Sequence, residues 1–134
     1  MNERSNGLTS LVLDAAKAAS SKKAQDVIVL DVSKLLVITD HFLICSGTSD
    51  RQVRTIADEI EKTLREDHSV KPYRREGERE ARWVLLDYVD FVVHVFQTAD
   101  REYYDLERLW ADAPRFVIEE SEGGRDEPAA AKAT

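Results

Sequence analysis

At 134 residues the chain has the length of one ordinary domain, enough to bury about two-thirds of the surface its unfolded form exposes without covalent staples. Hydrophobic residues make up 43% and charged residues 34%, no apolar stretch approaches the roughly 20 residues of a bilayer-spanning helix, and Cys45 is the single cysteine. Together these exclude a helical membrane protein, an intramolecular disulfide and a multi-cysteine zinc site, while a net charge of −7 disfavours an independent nucleic-acid binder and suits a basic protein partner.

Met1 to Asn6 shows no basic leader followed by an apolar run, so the cytosol is the expected address. Leu8, Leu11, Val12, Ala15 and Ala19 then form one helical stripe, with Ser5 or Asn6 as N-cap and an end near Ser20 and Ser21. Val27 to Leu30, a β-branched run bounded by Asp26 and Asp31, predicts a buried strand. Val32 to Thr39 is ambiguous, and His41 to Cys45 predicts a second buried strand stopped by Ser46-Gly47-Thr48.

Ser49-Asp50-Arg51-Gln52 matches a capping box, and Val53, Ile56, Ala57, Ile60 and Leu64 share one face of the helix behind it, from about Asp50 to Glu66. Lys71 to Arg82 is polar, with Pro72 and Gly77 as punctuation, and predicts a loop with a short edge strand near Tyr73. Trp83 to Leu86 and Phe91 to Phe96 predict a hairpin around Asp87-Tyr88-Val89-Asp90. Thr98 or Asp100 can cap a last helix with Tyr103, Leu106, Leu109 and Trp110 on its apolar face, ended by Pro114, and Phe116 to Ile118 adds an extended segment.

Residues 1–118 are thus expected to form one α/β domain, a mixed β-sheet flanked by helices in the order αββαββα. The tail, 119–134, has five acidic and two basic residues and nothing apolar larger than alanine, so it is expected to be a disordered acidic tail.

Few residues suggest catalysis. Gly47-Thr48-Ser49, between a strand and a helix, is similar to the entry of nucleotidyltransferases, and Asp87 with Asp90 could then hold magnesium. The capping box already explains every residue there and is the preferred reading, and aspartate is common in turns because it bonds nearby amides. His94, on the same side of its strand as Val92 and Phe96, is expected to be structural, and Cys45 a small buried hydrophobe. The aromatics say more. Trp83, Tyr88, Phe96, Tyr103, Tyr104 and Trp110 cluster late in the folded region, and such residues dominate interface hot spots. Tyr103 and Trp110 are expected to pack in the core. Tyr88, at a turn, is not expected to be fully buried, and the pattern leaves both Tyr88 and Tyr104 open between a partner surface and the interior.

Several segments resemble the ribosomal silencing factors, the iojap-like family. They are Asp26-Val27-Ile28-Val29-Leu30-Asp31-Val32, the run from Ile38 through His41-Phe42-Leu43-Ile44 and Gly47-Thr48-Ser49-Asp50-Arg51-Gln52 to Val53, Trp83 to Asp90, Val93-His94-Val95-Phe96, and Arg101-Glu102-Tyr103-Tyr104 through Trp110. The resemblance covers about residues 8–113. Val89 departs from it, because the family usually has glycine there and valine resists positive φ.

The resemblance implies a nucleotidyltransferase-like fold without established catalysis, no metal or other cofactor, and a homodimer when free. It implies binding to the large ribosomal subunit through its ribosomal protein number fourteen, which blocks joining of the small subunit and represses translation when nutrients are scarce. The implied contact residues are Trp83, Tyr88, Phe96 and Tyr104, with Arg101 for polar contacts. The alternative from another class is a magnesium-dependent nucleotidyltransferase using Ser49, Asp87 and Asp90.

Overall fold

The computed structural model describes residues 9–118; the expected acidic tail, and Ser5, Asn6 and Leu8, lie outside the described residues. The elements are α1 (Ser10–Ser21), β1 (Gln25–Asp31), β2 (His41–Gly47), α2 (Asp50–His68), β3 (Arg74–Glu76), β4 (Trp83–Asp87), β5 (Phe91–Gln97), α3 (Thr98–Tyr104), α4 (Leu106–Leu109) and β6 (Arg115–Val117). The strands form one mixed sheet in the order β3-β4-β5-β2-β1-β6. Among the described residues only the β2–β5 pairing is parallel. Among the described residues no helix is long and apolar enough to cross a membrane.

Strand alternation divides the apolar residues between two layers. Val27, Val29, Leu43, Cys45, Val84, Leu86, Val93 and Val95 pack beneath α1 and α2 with Val12, Ala15, Val53, Ile56, Ile60 and Leu64. Ile28, Leu30, Phe42, Ile44 and Phe96 face the other way, against Leu106 of α4 and against Trp110 and Ala113 in the segment that follows it. Because α3 and α4 are short, the β4–β5 side of this second face is only partly covered.

The α2 N-terminus follows the capping pattern with one change. The Gln52 amide donates to Ser49 Oγ at 3.1 Å, but the Gln52 side chain reaches past Ser49, its Oε1 accepting from the Thr48 amide at 2.8 Å. Gln52 Nε2 donates to the Lys22 and Lys23 carbonyls beyond the end of α1, so one side chain ties the two helices together. For α1 the N-cap is Thr9, whose Oγ1 accepts from the Val12 amide, instead of Ser5 or Asn6.

The expected single last helix is two short ones. Asp105 adopts a left-handed conformation, φ 47°, which breaks the ladder between α3 and α4. Neither Thr98 nor Asp100 supplies the cap: Gln97 stands at the N-cap without a side-chain capping bond, and Thr98 Oγ1 donates to the Gly47 carbonyl. The break rotates the helical face, so Tyr103 and Leu109, expected in the core, are 80% and 69% exposed.

In the β4–β5 hairpin Asp87 Oδ1 accepts the Val89 amide at 2.8 Å, the turn role open to it from sequence. Val89 itself sits at φ 73°, a left-handed conformation that a β-branched side chain resists.

Candidate functional site

The register sets Trp83 of β4 opposite Phe96 of β5, on the face away from α1 and α2. The indole stacks on Phe96 at 4.8 Å between centroids and meets Tyr104 of α3 at 4.7 Å. Tyr103 stands edge-on to Tyr104 at 5.0 Å. The result is a ladder running outward from a wholly buried Phe96, through a half-buried Trp83, to Tyr104, which is 47% exposed. Stacked rings at such spacings add roughly 0.5–1.5 kcal/mol per pair beyond burial, so the outer rings are held rather than loose.

His94 fixes the indole. Trp83 Nε1 donates to His94 Nδ1 at 3.1 Å, which requires Nδ1 to be unprotonated and assigns the neutral proton to Nε2. Burial pushes the imidazole down to about 4, so it stays neutral and keeps accepting. His94 also meets Phe42 edge-on at 4.8 Å, in line with the structural part expected of it.

Beside the ladder lies a cleft of about 230 Å³ lined by Gly77, Glu80, Arg82, Trp83, Asp100 and Tyr104. Asp100 is buried to 9% exposure, and its carboxylate accepts from Arg82 Nη2 at 3.1 Å and Nε at 3.5 Å. That hydrogen bond, with the charge behind it, raises the Arg82 guanidinium above its ordinary range. Gly77 closes the cleft at φ 87°; a Cβ there would lie 2.0 Å from the Trp83 carbonyl oxygen.

Of the five residues implied by the resemblance, the structure brings Trp83, Phe96 and Tyr104 together, with Phe96 behind the other two. Tyr88 is elsewhere, and its expected exposure is corrected: at 8% it is buried in the opposite layer, stacked on Phe91 at 5.0 Å. Parity carries the reason, since Val84, Leu86 and Tyr88 alternate onto the α1–α2 side while Trp83 points away. Arg101 also turns inward, at 9% exposure. Its guanidinium donates to Glu107 at 2.7 and 3.0 Å, to the Asp26 and Gln25 carbonyls at 2.7 and 3.3 Å, and to Ser46 Oγ at 3.2 Å. It clamps α3 and α4 to the central strands and has little left to offer a partner.

The catalytic set is not assembled. Ser49 follows the end of β2 where Gly47 pairs with Gln97, whereas Asp87 and Asp90 flank the other end, where His41 pairs with Phe91. Six strand steps, about 20 Å, separate them. Cys45 is fully buried, and burial pushes its thiol up to about 12 against the pull of Arg101, which leaves no reactive thiolate at neutral pH.

Sequence reasoning missed the Asp100–Arg82 pair, because Asp100 looked like a cap. It also missed a second apolar surface, a groove of about 330 Å³ around Phe42, Leu85, Val92 and His94, whose rim holds the exposed Ile38, Tyr73 and Val89. The Leu35-Leu36-Val37-Ile38 run was its available signal.

Residues 5–134 match the family described as "Ribosomal silencing factor during starvation". The Bacillus subtilis ribosomal silencing factor is 47% identical over 105 residues, spanning 78% of this chain and 88% of that protein. A crystal structure of a Chromobacterium violaceum protein superposes with a TM-score of 0.73 at 35% identity, covering 84% of this chain and 93% of that one. A mouse protein named for mitochondrial assembly of the ribosomal large subunit is 33% identical over 94 residues, 66% of this chain and 40% of its own length.

Proposed function

The chain belongs to the ribosomal silencing factor family, and on that premise we propose that it binds the large ribosomal subunit through ribosomal protein number fourteen and so prevents the small subunit from joining. The observation that carries this reading is the aromatic ladder: Tyr104 and the outer edge of Trp83 are accessible while Phe96 and His94 hold them rigid. A rigid aromatic anchor binds with little ordering entropy to overcome, which is why tryptophan and tyrosine dominate hot spots. The acidic chain complements a basic ribosomal protein, and the mouse relative, named for assembly of the ribosomal large subunit, supports the same partner.

The mechanism is occupancy. No bond is made or broken; a bound obstacle shifts the joining equilibrium according to its concentration relative to its dissociation constant, and translation falls accordingly. In this reading Trp83 and Tyr104 make the contact, Phe96 backs them, Arg101 holds α3 in place and Tyr88 supports the hairpin from behind. The free protein is a homodimer acting in the cytoplasm.

The test is sedimentation with separated large and small subunits, followed by a joining assay. The protein should travel with the large subunit alone and suppress joining. Each anchor is worth roughly 2 kcal/mol, so Tyr104→Ala should weaken binding about 30-fold while leaving the melting transition in place. Undiminished binding by a folded Tyr104→Ala, and by a folded Trp83→Ala, would remove the ladder from the contact.

A further inference from the structure

We propose that the cleft beside the ladder is a receptor for an arginine side chain of the ribosomal partner, and that Arg82 is its built-in placeholder, displaced when the partner docks. This rests on the reading that the ladder meets the large subunit. Three features of the cleft point to a guanidinium. Its floor is a carboxylate, Asp100, held at 9% exposure in the first turn of α3, where a charge without a partner would be costly. Its wall is aromatic, formed by Trp83 and Tyr104, and flat rings suit a planar cation. Its present occupant is a guanidinium that makes two bonds to one carboxylate, through Nη2 and Nε, a pattern that lysine's single ammonium does not reproduce.

Arg82 is a poor permanent tenant. Its side chain is 69% exposed, against 12% for that of Asp100. An ion pair with one partner so open to water is weakly held, and the cost of baring Asp100 is offset when an incoming cation takes the place of Arg82. Its departure leaves Asp100 and Glu80 facing the cleft without a local cation, so the emptied site attracts positive charge. An incoming arginine would restore the pairing and also lie against the Trp83 and Tyr104 rings, which themselves make the neighbouring contact. The bound state then has a desolvated ion pair adjoining a stacked aromatic anchor, the arrangement in which an interfacial charge pair contributes most.

The two side chains of the pair should respond in opposite directions. In binding measurements on purified large subunits, Asp100→Asn should weaken affinity at least 10-fold and flatten its dependence on salt, because the receiving charge is gone. Arg82→Gln removes the competitor and should tighten binding several-fold; its exposure makes misfolding of this variant a minor concern. In the Arg82→Gln, Asp100→Asn double variant the gain should vanish. Weaker binding by Arg82→Gln would show Arg82 to be a contact rather than a placeholder, and wild-type affinity in a folded Asp100→Asn would show the cleft to be empty in the complex. Either result overturns the proposal while Tyr104→Ala still reports on the ladder. Failure of the wild-type protein to bind large subunits at all would instead remove the reading beneath it, and the proposal with it.

Discussion

His94 makes the stability of this protein depend on pH within a narrow window. Its imidazole lies against Phe42, Trp83 and Phe96, and burial lowers its proton affinity from the ordinary 6.5 to about 4. The unfolded chain therefore takes up a proton near 6.5 that the folded chain refuses until about 4. For a group depressed in this way, folding stability is complete above 6.5 and falls as the pH drops towards 4. At roughly 1.4 kcal/mol per pH unit, the loss reaches about 2 kcal/mol at pH 5 and about 3 kcal/mol at pH 4. Either amount is a large part of the 5–15 kcal/mol typical of a domain.

The assay is urea denaturation at pH 7.5, 6 and 5, on the wild type and on His94→Asn. Asparagine keeps an acceptor for the Trp83 indole but cannot titrate. The variant should be less stable throughout, because it leaves a void, yet the gap between the two proteins should narrow by about 2 kcal/mol between pH 7.5 and 5. His41 and His68 are present in both and cancel in the difference. A gap that stays constant across that range would show that His94 accepts its proton as readily folded as unfolded, and the account of its burial and of the Trp83 bond would be wrong.

Three further perturbations test the surrounding structure. Arg101→Ala leaves the Glu107 carboxylate and two strand-end carbonyls unpaired in a nearly closed site, so it should cost about 3–5 kcal/mol, measured as a fall in the denaturation midpoint. Val89→Gly removes a β-branched side chain from φ 73°, and relief of about 2 kcal/mol less glycine's entropy cost of about 0.5–1 should raise stability by about 1 kcal/mol in thermal melts. Gly77→Ala puts a methyl group onto the Trp83 carbonyl and holds it at a φ that alanine resists; it should lower stability by about 2 kcal/mol or more and weaken large-subunit binding in sedimentation.

What could be seen in the residues beforehand follows from how local each cause is. The α2 helix was legible because its cap and its stripe lie within one segment; β1 and β2 were legible because continuous apolar runs suit strands covered on both faces, and the hairpin because two β-rich runs flank a short polar-edged turn. The parallel β2–β5 pairing was not, since it joins residues far apart in sequence. In the last helix, the Tyr103–Leu109 spacing held only for an unbroken ladder, and the left-handed Asp105 cancelled it. Trp83 and Tyr104 were singled out by residue type, whereas Tyr88 was misplaced because a turn was equated with exposure when strand parity already assigned it to the interior. Arg101 could not have been placed, because its acceptors come from β1, β2 and α4, which only the folded chain brings together.

Both margins of the sheet are finished in the same way. β3 and β6 are three residues each, and between them they carry Arg74, Arg75, Glu76 and Arg115. β6 covers β1, whose Val27-Ile28-Val29-Leu30 run is the kind of segment that recruits further strands when left open. The Ile118 amide bonds the Val27 carbonyl and the Asp31 amide bonds the Pro114 carbonyl, so this short strip is latched at both ends. A protease cut just before Arg115 would spare the aromatic ladder and take only Phe116 and Ile118 from the α1–α2 layer. It would nevertheless turn a closed edge into a template for aggregation.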